Sequence, residues 1–150
     1  MEFNVLVAEP SNAVWTAIAQ GIRGYQSEAS ILRVKDGEQA LRFLFHRGLL
    51  AEEPQTPSLV VLAGDLPIIP AETIVARLRQ HPRTHAIPVI VVWQQEVADA
   101  AHADEQQQWL QRQRSLLIAG PYALDQQVIE AARQLCGEPL PAREEQRSGT

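Results

Sequence analysis

Five short apolar runs recur along the chain: FNVLVA (3–8), SILRV (30–34), LVVLA (59–63), VIVVW (89–93) and SLLIAG (115–120). Most are apolar at nearly every position rather than at every second one. A strand with one face in water alternates; a strand covered on both faces need not. Between the runs the spacing changes to a helical one, so the pattern is five β-α units. Right-handed crossovers between parallel strands then put helices on both faces of one sheet. The expected fold is α/β, a doubly wound five-stranded parallel sheet.

The intervening segments support this. After Pro10, the turn and cap residues Ser11 and Asn12 precede Val14, Trp15, Ile18 and Ile22 at helical spacing, with Gly21 and Gly24 weakening the end. Residues 36–48 read as a turn plus a helix, with Asp36 at its start and Leu41, Leu44 and Phe45 on one face. Residues 51–57 form a polar, proline-containing loop, and residues 71–80 a helix with Ile74, Val75 and Leu78 inward. Residues 81–88 connect to the fourth strand. Residues 96–114 are glutamine-rich and helix-prone, with the weak apolar stripe Val97, Ala101 and Trp109. A last helix, 124–135, carries Val128, Ile129, Ala132 and Leu135 on one face. One domain over 1–136 and a polar, mobile tail over 137–150 are expected.

Charge and composition narrow the function classes. The net charge of −5 argues against a nucleic-acid module, which would be basic. No run approaches the roughly 18 apolar residues of a membrane span, and the N-terminus reads as a strand rather than a signal segment. Cys136 is the single cysteine, so neither an internal disulfide nor a cysteine zinc site forms, which fits a reducing cytoplasm. It reads equally as a small packing residue and as a thiol. His46, His81, His85 and His102 are scattered, and no metal site is expected from them. Lys35 is the only lysine.

The stretch SLVVLAGDLP (58–67) carries the functional question. The carboxyl end of a strand in an open α/β sheet is where ligands bind. This strand ends in Ala63, and an acid, Asp65, follows two residues later. That stretch, with VKDGEQAL (34–41) and RLRQHPRTHAIPVIVV (77–92), resembles the receiver domain of bacterial response regulators, over about residues 3–135. The spacing is similar to that of small stand-alone receivers serving bacterial phytochromes. The resemblance implies the flavodoxin-like (CheY-like) strand order 2-1-3-4-5.

A working receiver holds a magnesium ion with two acids after the first strand. It phosphorylates an aspartate at the end of the third strand, and it stabilises the phosphoryl group with a hydroxyl after the fourth strand and a lysine after the fifth. Phosphoryl transfer concentrates negative charge, which a metal and a fixed cation must balance. Here the resemblance places the acid pair on Ala8 and Glu9, the acceptor on Ala63, the hydroxyl on Trp93 and the lysine on Gly120, followed by Pro121. The switch aromatic falls on Leu117. These departures together imply that the reaction is no longer run, with Trp93 filling the vacated pocket.

Glu9 and Asp65 should lie near each other at the sheet edge, as a residual magnesium site, as a displaced acceptor at Asp65, or as two solvated turn acids. No cofactor is expected, magnesium included. Trp109, among glutamines, suits either an interface or packing of its own helix. Receivers commonly pair through the segment after the fourth strand, the fifth strand and the last helix, which makes Trp109, Leu116, Tyr122 and Val128 candidate contacts. The expected function is signal transduction through protein–protein interaction by a non-phosphorylatable receiver, with no enzyme activity. A sensor histidine kinase, another response regulator or a second copy would be the partner, with neither nucleic acid nor membrane involved. Two alternatives stay open: a phosphorylatable regulator using Asp65, and a sensor of a small apolar ligand beside Trp93. The missing glycine-rich phosphate loop argues against a nucleotide.

Overall fold

The computed structural model describes residues 3–45, 56–93, 108, 115–119 and 123–138, with only the backbone for Trp93 and 115–119. Each of the five apolar runs is a strand: β1 Asn4–Ala8, β2 Ser30–Val34, β3 Leu59–Ala63, β4 Val89–Trp93 and β5 Ser115–Ala119. The helices with defined bounds are α1 Asn12–Tyr25, α2 Gly37–Phe45, α3 Ala71–Gln80 and α4 Leu124–Cys136. The sheet is parallel throughout, in the expected order β2-β1-β3-β4-β5.

Local chemistry starts the helices where the sequence indicates. The Ser11 side chain accepts the Val14 N–H at the start of α1. The Asp36 carboxylate accepts the Gln39 N–H at 2.8 Å, and the Gln39 side-chain oxygen accepts the Lys35 N–H at 2.9 Å. The first bond satisfies a backbone donor in the first turn of α2, and the second ties the residue before Asp36 back onto that turn.

The near-continuous apolar strands feed two cores. Leu6, Val60, Leu62, Val89 and Val91 face Leu41 and Leu44 of α2 and Ile74, Val75 and Leu78 of α3. Val5, Val7, Leu59, Val61, Ile90 and Val92 face Ile18 and Ile22 of α1 and Val128 and Ala132 of α4. All five residues of β3 are buried, and Leu59 to Leu62 alternate between the two cores. Each large side chain so buried contributes roughly 1.5–3 kcal/mol.

One expected contact residue belongs to this core instead. Val128 is fully buried between α4 and α1, so it is not available to a partner. The helical stripe that makes it look like an interface residue is the stripe that packs α4 onto the domain. Cys136, half-buried at the end of α4, packs against the same cluster. No helix among the described residues is long and apolar enough to cross a membrane. The stretches 46–55, 94–107, 109–114, 120–122 and 139–150 lie outside the described residues; they include His46, His102, Trp109, Gly120, Tyr122 and most of the tail.

Candidate functional site

β1, β3 and β4 end together at one edge of the sheet. Ala8 pairs with Val34 on one side and Leu62 on the other, while Ala63 pairs with Val92. Both alanines are fully buried. Past Ala63, the Gly64 N–H donates to the Val92 carbonyl at 2.8 Å, which carries the β3–β4 register one residue beyond the strand. Asp65 then turns outward and is exposed.

Glu9 behaves differently from Asp65. It is fully buried, so it is not a solvated turn acid. Its Oε2 accepts the Ser11 N–H at 3.0 Å, and its own N–H donates to the Val34 carbonyl at 3.0 Å. Burial raises the Glu9 pKa above the ordinary 4.5; the Ser11 hydrogen bond opposes this, the Asp65 charge adds to it and the Arg33 charge opposes it. The two acids are therefore close enough to repel, as expected, but only Asp65 meets solvent.

Arg33 has no part in the sequence expectations, although it is the one charged residue in the β2 run, and that interruption is the signal of its role. From β2 its Nε donates to the Glu9 carbonyl at 3.1 Å and its Nη2 to the Pro10 carbonyl at 3.3 Å. The guanidinium also lies over the Trp15 ring, 5.5 Å from its centroid. It joins the end of β1, the turn that follows and the first turns of α1.

No protein-family model and no curated protein matches the chain. Solved structures do match. The phosphorylated cyanobacterial phytochrome response regulator RcpA is 18% identical with a TM-score of 0.71, covering 91% of this chain and 95% of its own. The manganese-bound form of response regulator Rcp1 is 21% identical with a TM-score of 0.70, covering 93% and 99%. The bacteriophytochrome response regulator RtBRR is 18% identical with a TM-score of 0.73, covering 95% and 82%.

The fold is that of a response-regulator receiver domain.

On this receiver fold, Glu9 and Asp65 are the acids described at the ends of β1 and β3. A magnesium ion demands near-octahedral oxygen coordination. Ala8 and Ala63 offer buried methyl groups, Oε2 of Glu9 accepts from the Ser11 backbone, and the Arg33 guanidinium bonds the Glu9 backbone carbonyl. No group of three or more His, Cys, Asp or Glu that could hold a metal occurs among the described residues. His81 and His85 are exposed on the connection after α3. The backbone of Trp93 pairs with that of Ala119, and Leu116 and Leu117 pair with Ile90 and Val91. The side chains of Trp93, Leu116 and Leu117, and all of Gly120, Trp109 and Tyr122, lie outside the described residues.

Proposed function

We infer that this chain is a receiver that signals by binding a protein partner and does not accept a phosphoryl group. The observation that carries the reading is Ala63. It ends β3 at the position the resemblance gives to the acceptor, and it is a fully buried methyl group. A methyl group has no oxygen to phosphorylate, and the flanking chemistry has gone with it. Ala8 supplies no second acid, and Gly120 supplies no ammonium at the lysine position. Arg33 holds the β1–α1 turn by hydrogen bonds that need no metal. The domain thus keeps the receiver shape without the charge balance that phosphoryl transfer requires.

With no reaction at this edge, the output is binding itself. A sensor histidine kinase, another response regulator or a second copy of the chain are the partners this reading allows, in the cytoplasm and without a bound cofactor. Asp65 supports a second reading, because it is exposed and adjacent to Glu9. Intact-mass spectrometry after incubation with acetyl phosphate and magnesium separates the two. The expected result is an unchanged mass beside a working receiver that gains a phosphoryl group. A stoichiometric adduct abolished by Asp65→Asn would overturn the reading.

A further inference from the structure

The helices run antiparallel to the strands, so α2 and α3 both end at the sheet edge opposite Glu9 and Ala63. There Phe45, the last residue of α2, is ringed by basic groups. The Arg77 guanidinium lies 5.7 Å from its ring centroid, that of Arg83 6.0 Å, and the His81 ring 5.5 Å. Phe45, Arg77, Gln80 and His81 line an open concavity of about 360 Å³.

The basic groups there do different jobs. Arg83 is committed to the fold: Nη1 donates to the Thr56 hydroxyl at 2.8 Å, and Nη2 donates to the Leu44 carbonyl. Arg77 is exposed, and it enters no ion pair and no hydrogen bond among the described residues. His81 accepts the Arg83 backbone N–H on Nδ1 at 3.3 Å, so the proton of the neutral ring sits on Nε2 and remains a donor. Gln80 adds an amide. The described lining therefore presents donors around an aromatic floor and no carboxylate. Residues 77–85 contain three arginines and two histidines without one acid, in a chain of net charge −5.

Part of this charge complements the end of α3, where carbonyls carry a partial negative charge. That does not account for Arg77, whose guanidinium is turned over the Phe45 ring on α2. We propose that this concavity binds an acidic peptide segment of a protein partner, with carboxylates taken by Arg77 and His81. The openness of the site favours a peptide over a small anion, because small-ligand sites enclose most of the ligand surface. The negative charge of the rest of the chain disfavours a nucleic acid, which would be repelled beyond the patch. The inference stands apart from the proposed function, since the site lies at the other edge of the sheet and holds whether or not Asp65 is phosphorylated.

The test is fluorescence anisotropy of a labelled short polyglutamate peptide titrated with the full chain at low ionic strength, where screening is weak. Saturable binding is expected, weakened about tenfold or more by Arg77→Gln. It should be unchanged by Arg133→Gln, which removes an exposed arginine from α4. Oligothymidylate of matched charge is expected to bind more weakly than the peptide. No saturable binding, equal loss in the two arginine variants, or tighter binding of the oligonucleotide would each overturn the proposal.

Discussion

The Arg33 guanidinium of β2 is bonded to the backbone carbonyl of Glu9, 3.1 Å away, rather than to its carboxylate. The same side chain bonds the Pro10 carbonyl and covers the Trp15 ring. A fixed cation thus organises the backbone of the turn that follows β1. Arg33→Met keeps the aliphatic stem but removes both charge-assisted bonds. The site is partly exposed, so the expected loss is about 1 kcal/mol. In urea this appears as a midpoint lower by roughly 0.5 M with an unchanged slope. Arg33→Lys should recover only part of it, because an ammonium does not reproduce the planar fork.

Glu9 predicts a pH dependence. Its folded pKa is raised above 4.5, chiefly by burial. A carboxyl group with a raised folded pKa favours folding while protonated in both states, and that advantage is lost as pH rises through the folded value. Glu9 as a carboxylate therefore costs stability at neutral pH. Glu9→Gln retains an oxygen acceptor for the Ser11 N–H and carries no charge. Its melting temperature should exceed that of the parent at pH 7, and the gap should close as pH falls to 4.5 and below. A gap that is constant across this range would show that desolvation of the charge is not its source.

The fold was more legible than the site. The bounds of β3 and α3 follow from local pattern alone: β3 is apolar throughout because two cores cover it, and α3 has a clean stripe between Pro70 and Pro82. The burial of Glu9 was not legible, because an acid after a strand ordinarily meets water. What decides it includes a neighbour distant in sequence, Arg33, which no local pattern connects to the turn. Val128 fails for a related reason. A helical stripe shows which residues share a face, but only packing shows whether that face meets its own domain or another chain.

That packing makes a paired prediction about two glycines of α1. A Cβ at Gly21 would lie 2.6 Å from the Asp125 carbonyl oxygen and 2.7 Å from the Val128 Cβ, neither of which can rotate away. At Gly24 the nearest atom, 2.9 Å away, is Ile129 Cδ1, the end of a flexible side chain. Alanine gains about 1 kcal/mol of helix propensity at either position. At Gly24 that gain should survive, giving a change between zero and about 1 kcal/mol of stabilisation. At Gly21 α1 and α4 must separate, and overpacking of roughly 1–3 kcal/mol should win. Thermal melts of Gly21→Ala and Gly24→Ala check this, and equal effects would mean that the helices slide freely.

Ile68 provides the last prediction. It has φ 72°, a left-handed conformation that a β-branched residue rarely adopts, and the residue is 69% exposed. Burial therefore does not offset the strain. The conformation is imposed by its neighbours: the Pro67 carbonyl accepts from both the Gly37 N–H at 3.2 Å and the Ile69 N–H at 2.8 Å, which closes the loop onto the start of α2. Ile68→Gly removes the clash of the side chain with its own backbone, worth about 1–2 kcal/mol, against roughly 0.5–1 kcal/mol of added chain entropy in the unfolded state. A net stabilisation of about 0.5–1 kcal/mol is expected in chemical denaturation. Ile68→Val keeps the branch and should leave stability unchanged. If the glycine variant is no more stable than the valine variant, the loop relaxes in solution and stores no strain at this residue.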